Sequence, residues 1–174
     1  KKGYGITFNE LYRTGVLQEH FEVHHLAWHY DAEPALIDGV RVYPCPEEHK
    51  LEALRHVLYE LLPDVVLLHA DAHFFMSYLK ELKAWRGPVV GWFTVDYERR
   101  HNPAGLMSVL GHCSRILCMA DASIEQTRKD YLGPIAKVPL GVNPQLFYPA
   151  VPEQKARLRQ SFELPDQAFV FLMV

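Results

Sequence analysis

Residues 63–94 decide the fold: Pro63-Asp64-Val65-Val66-Leu67-Leu68, then Phe74, Phe75, Leu79, Leu82 and Trp85, then Gly87-Pro88-Val89-Val90-Gly91-Trp92-Phe93-Thr94. Two short apolar runs, one entered through Pro-Asp and the other through Gly-Pro, enclose a segment whose apolar residues recur at helical spacing. Strand, helix, strand is the unit of a parallel sheet, because parallel neighbours need a long crossover between them. By composition residues 65–68 read as a fully buried strand. Phe75, Leu79 and Leu82 are spaced to face the sheet from a helix over 74–85.

The same rhythm extends both ways. Leu51, Leu54, Val57, Leu58, Leu61 and Leu62 predict an amphipathic helix over 50–62, stopped by Pro63-Asp64. Before it, the pattern predicts a helix over 6–17 and a strand over 21–28. A turn at Ile37-Asp38-Gly39 leads into the strand Val40-Arg41-Val42-Tyr43. Pro44-Cys45-Pro46 ends that strand, since proline supplies no ladder donor, and marks it as an edge or near-edge strand. Downstream come a strand over 89–94, a helix over 104–110, a strand over 115–119, a helix over 123–132 and a strand over 135–138. The alternation predicts an α/β domain with a mostly parallel sheet. After Val138 a proline-marked crossing, 139–152, leads to a charged helix over 153–162, the turn Leu164-Pro165-Asp166, and a last strand over 169–174. That strand has no helix to follow it and reads as the opening of a second domain.

With 174 residues, 49% of them hydrophobic, the chain can bury a core, which excludes disorder for most of it. A formal charge of −3 does not suit a nucleic-acid binder. No apolar run nears the roughly 18 residues of a membrane span, and no leader peptide is read at the start. Lys80, Lys83 and Arg86 share a helix face that could touch anionic lipid, but with acidic Glu81 nearby they read as a plain wet surface, so membrane contact is not indicated. Cys45, Cys113 and Cys118 are odd in number and lack paired metal spacing, which fits a reducing cytoplasm. Neither Lys1-Lys2-Gly3 nor the apolar run at 169–174 resembles a natural terminus, so the sequence reads as an excerpt of a longer protein.

Ligands of an open parallel sheet bind beyond the carboxyl ends of its strands, so the loops there are the candidate sites. They are His69-Ala70-Asp71-Ala72-His73, the ionisable run from Asp96 to His101, Ala120-Asp121-Ala122-Ser123, and Leu140-Gly141-Val142-Asn143. Gly3-Tyr4-Gly5 precedes the first helix, where backbone N–H groups could meet a phosphate or simply turn the chain. His69 and His73, four apart with Asp71 between them, suggest a metal at first glance. The stronger reading ends a strand at His69, and no third ligand stands at a telling distance, so no metal site is assigned. His24, His25 and His29 alternate between strand faces and do not converge.

The segment Val138-Pro139-Leu140-Gly141-Val142-Asn143-Pro144-Gln145-Leu146-Phe147-Tyr148-Pro149 resembles the interdomain signature of family 4 glycosyltransferases, roughly P-x-G-V-D-x-x-x-F-x-P. The charged helix, Leu164-Pro165-Asp166-Gln167-Ala168-Phe169 and the final apolar run follow in the family's order. Upstream, Pro63-Asp64-Val65-Val66 resembles its P-D-V-V strand and Gly3-Tyr4-Gly5 its glycine-rich first loop. The resemblance implies the N-terminal half of a two-domain GT-B enzyme. Residues 1–150 would form a Rossmann-like acceptor domain lacking its first strand. Residues 151–174 would form a linker helix and the first strand of a truncated nucleotide-sugar domain. It implies retaining transfer of a sugar from a nucleotide sugar, a substrate and not a cofactor, to an acceptor hydroxyl without a metal. Asp96 would be the catalytic group, with Gly3, Tyr4, Gly5, Asp71, His73 and Gly141 at the substrates, and the fragment alone would be inactive. Three positions depart from the family's pattern. Thr94-Val95-Asp96 stands where many relatives carry a histidine, Asn143 replaces the usual aspartate of G-V-D, and Ala120 replaces a common serine. The competing classes are a sugar-phosphate or nucleotide binding module without transfer, and a metal-dependent hydrolase using His69, Asp71 and His73.

Overall fold

A computed structural model describes residues 11–28, 32–93, 99–139, 141, 144, 148–165 and 167–169. The chain divides into two compact units, Lys1–Leu140 and Gly141–Val174. In the first, β1 (His24–Trp28) pairs parallel with β3 (Val40–Cys45), and β2 (Ala35–Ile37) pairs antiparallel with β3, giving the order β1-β3-β2. A second sheet, β4 (Val66–His69), β5 (Val89–Trp92), β6 (Arg115–Cys118) and β7 (Ile135–Lys137), is all-parallel in that order. With helices packed against this sheet, the architecture is α/β and Rossmann-like.

The helices lie where the apolar spacing puts them. α1 (Lys50–His56) continues into a π-helical turn, Val57–Leu61, and Leu62 then turns left-handed at φ 52°. Pro63 ends the helix there, because its ring disfavours right-handed helical geometry in the residue before it. A 3₁₀ stretch, Ala72–Tyr78, leads into α2 (Leu79–Trp85), followed by α3 (Pro103–Leu110) and α4 (Asp121–Thr127). Asn102 caps α3, its side-chain oxygen accepting from Gly105 N–H at 3.0 Å, with Pro103 in the first turn. Because β4 to β7 step one way across the sheet, right-handed crossovers bring α2, α3 and α4 to one face.

The core fills the space between that face and the sheet. Leu58 of the π turn, Leu82 of α2, Leu106, Val109 and Leu110 of α3, Val89 of β5 and Ile116 of β6 are fully buried. Each such side chain contributes about 1.5–3 kcal/mol by leaving water. From β1, Leu26 and Trp28 pack against this core, while Tyr12, Val40 and Val42 form a smaller cluster with Leu17, Val23 and Ala27.

Several expectations are corrected. β3 is the middle strand of its sheet and runs through Pro44 to Cys45. Register explains why proline is tolerated there. Arg41 N–H donates to Val23 C=O, so odd positions of β3 donate toward β1 and even ones toward β2. β2 reaches only Ala35, opposite Val42, so nothing waits for a donor from residue 44. Ile37 belongs to β2, which the sequence reading missed. Asp38 and Gly39, at φ 49° and 77°, form the two-residue turn of the β2–β3 hairpin, the left-handed geometry that an Asp-Gly pair favours. The strand read as fully buried is β4, an edge of its sheet, with Leu67 43% exposed. The helix expected over 123–132 begins at Asp121 and ends at Thr127. The helix expected over 6–17 is described only from residue 11 and is helical through 14.

In the second unit, α5 (Pro152–Ser161) has no buried residue. Arg159 donates to the carbonyls of Pro165 and Ala168 at 2.5 and 2.6 Å and folds the following turn back on the helix. The strand expected over 169–174 lies, beyond Phe169, outside the described residues.

Candidate functional site

The carboxyl end of β4 carries the site residues that the structure describes. His69 closes the strand, and its ring meets Trp92, the last residue of β5, edge to face at 4.7 Å. Burial pushes the His69 imidazole down to about 4, helped by a nearby His25. His25 on β1 is also lowered by burial, and its Nδ1 lies 2.7 Å from the Tyr12 hydroxyl, which burial raises to about 12. At neutral pH both imidazoles are therefore uncharged and offer hydrogen bonds rather than an anion site.

Asp71 stands just before the 3₁₀ turn in extended backbone geometry, at φ −70° and ψ 135°. Its main-chain carbonyl accepts from Phe74 N–H, and its carboxylate does not cap the turn. That leaves both carboxylate oxygens to accept from hydroxyl groups. His73, two residues on, packs its ring on Phe74 at 4.2 Å. Phe74 in turn meets Trp28, the last residue of β1, at 5.3 Å, and Trp28 also touches Phe75 and Tyr78. Aromatic rings and imidazoles thus accompany one half-buried carboxylate in the segment that follows β4, residue types that suit a neutral, hydroxyl-rich ligand with apolar C–H faces.

The metal reading of His69, Asp71 and His73 fails on geometry. His69 is in a strand and His73 in the following 3₁₀ turn, so the four-residue spacing does not place them on one helical face. Their rings turn to different partners, Trp92 and Phe74. Among the described residues no group of three or more His, Cys, Asp or Glu side chains could hold a metal ion.

Asp71 and His73 come together at the end of β4. Gly141 belongs to the second unit and is exposed, with open space where a Cβ would stand. Asp96, Gly3, Tyr4 and Gly5 lie outside the described residues. His24 and His25 do face opposite ways, His24 stacking on Tyr43 and His25 meeting Tyr12, whereas His29 is not described. Trp28, Phe74 and Trp92 were missed by the sequence reading, since they come from two sheets and a 3₁₀ stretch that only tertiary packing relates.

No protein-family model matches the sequence, and no curated protein matches it. Among the described residues no helix is long and apolar enough to cross a membrane.

Proposed function

We propose that this chain is the acceptor-side part of a retaining glycosyltransferase of the GT-B type. The observation that carries the reading is the segment from Val138 to Pro149, with its Pro-x-Gly-Val-Asn core and following Phe and Pro. The two compact units divide within it, after Leu140, which supports its role as a connection between domains. A parallel Rossmann-like sheet with its ligand loops at the strand ends is the scaffold such an enzyme uses, although fold alone never fixes activity.

On this reading the acceptor rests at the end of β4, where Asp71 accepts from its hydroxyls and the Trp28–Phe74 wall covers its apolar side. Asp96, after β5, orients the attacking hydroxyl. Gly3 and Gly5 bring backbone N–H groups to the donor diphosphate, whose developing negative charge is stabilised by fixed donors without a metal. Tyr4 and His73 complete the substrate contacts. The buried thiols and the neutral imidazoles suit work in a reducing, near-neutral cytoplasm.

Acceptor binding can be tested on the 174-residue chain by NMR titration with a panel of mono- and disaccharides. The reading expects amide shifts concentrated at 70–74, reduced in Asp71→Asn. Shifts caused by nucleotides alone, with none from any sugar, would favour a nucleotide-binding module.

A further inference from the structure

Glu81 is the one carboxylate in the sequence between residues 72 and 93, and none occurs between 99 and 120. The structure turns Glu81 inward: its side chain is 11% exposed and accepts from Arg55 of α1 at 2.7 Å. The acid expected to neutralise the cations of α2 is therefore engaged by Arg55. Lys80, Lys83 and Arg86 are exposed, as is Arg100 at the entrance to α3, and none of the four pairs with a carboxylate among the described residues.

α3 packs against the 3₁₀ stretch that leads into α2. Met76 Sδ sits 3.6 Å from Asn102 Nδ2, and a Cβ on Gly105 would stand only 2.5 Å from the same sulfur, so glycine is what allows the close approach. Met76 is exposed in the 3₁₀ stretch, and Lys80 and Lys83, three residues apart, share a face of α2. Met107 is exposed on α3, and like Met76 it ends in a flexible apolar thioether.

We propose that this face, the 3₁₀ stretch, α2 and α3 with Met76, Met107, Lys80, Lys83, Arg86 and Arg100, docks on an anionic lipid surface. On a chain of net charge −3, four exposed cations that pair with no carboxylate among the described residues orient the molecule toward negative charge. The two methionines favour lipid over nucleic acid, since a bilayer interface takes up apolar side chains as well as cations. The inference rests on charge and packing and is independent of the glycosyltransferase reading.

The test is co-sedimentation of the 174-residue chain with vesicles of phosphatidylcholine alone or mixed with phosphatidylglycerol. Binding is expected only to the mixed vesicles and should weaken with salt. Each cation near the surface strengthens binding about fivefold, so Lys80→Gln/Lys83→Gln/Arg86→Asn should bind about a hundredfold more weakly. Asparagine suits the left-handed backbone at position 86, where φ is 63°. The charge-matched Arg128→Gln/Lys129→Gln/Arg157→Gln should bind as the parent does. Met76→Ser/Met107→Ser should lose vesicle binding and keep any affinity for heparin. Circular dichroism melting confirms that each variant folds. Equal partition onto both vesicles, or equal loss in both triple variants, overturns the proposal. So does vesicle binding that ignores the methionines and is matched by heparin, which would point to a polyanionic macromolecule instead.

Discussion

Glu81 of α2 accepts a hydrogen bond from Arg55 of α1 at 2.7 Å, so one side-chain pair ties the two helices together. The Arg55 hydrogen bond holds the Glu81 carboxyl below the usual carboxylate range, outweighing burial, which pushes the other way. A carboxyl depressed in the folded state stabilises above its unfolded pKa, and the benefit is lost as pH falls through the folded value. Urea unfolding of Arg55→Gln should show a lower midpoint than the parent at pH 7, and the gap should close in acid below the range of an ordinary glutamate. Parallel pH profiles for the two proteins would show that the pair does not contribute.

His69 gives a second pH dependence at higher pH. Its imidazole is pushed down to about 4, so between that value and the ordinary histidine pKa of 6.5 only the unfolded chain takes up the proton. Stability should fall as pH drops through this window, by about 2 kcal/mol once solvent screening at the half-buried ring is allowed for. His69→Gln should flatten the slope between pH 6.5 and 4, leaving the Glu81 contribution in place. An unchanged slope would place the proton elsewhere.

Ile116 is fully buried in β6, an interior strand of the four-stranded sheet. Ile116→Ala should cost about 2–5 kcal/mol in urea unfolding at neutral pH, because the cavity cannot close against paired strands on both sides. Leu132, 99% exposed, is the control, and its replacement by alanine should leave the midpoint where it is.

All three cysteines are free and buried. Burial raises the Cys45 and Cys113 thiols, the latter to about 12, while Cys118 Sγ lies 3.4 Å from Thr127 Oγ1. Since the thiolate is the reactive species, the folded chain should resist a thiol reagent that titrates three groups once the chain is unfolded. Fast labelling of the native protein would show a reactive cysteine.

The parallel order of β4 to β7 was legible because each apolar run is short, bounded by Pro or Gly, and separated from the next by a helical pattern. What escaped depended on register. Pro44 looks like a strand end until Val42 is seen to be the last residue opposite β2, and Leu67 looks buried until β4 proves to be an edge. Within the candidate site, the loop after β4 was found from the strand-end rule, and Asp71 and His73 with it. The aromatic wall was not, because Trp28, Phe74 and Trp92 come from β1, the 3₁₀ stretch and β5, elements that tertiary packing and not sequence spacing relates. Glu81 shows the same limit: helical spacing put it near Lys80 and Lys83, but only packing against Arg55 shows which way it faces.

The central claim is division of labour between an acceptor half and a donor half, and product detection by mass spectrometry tests it most directly. The 174-residue chain and a chain extended through the second domain would be incubated with a panel of nucleotide sugars and acceptors. The extended chain should form a glycoside with the donor's anomeric configuration, and Asp96→Asn should slow it. The shorter chain should form none, because the transition state needs charges preorganised around a closed site and one wall would be solvent. Transfer by the 174-residue chain at a rate near that of the extended one, or product of inverted configuration, would contradict the account.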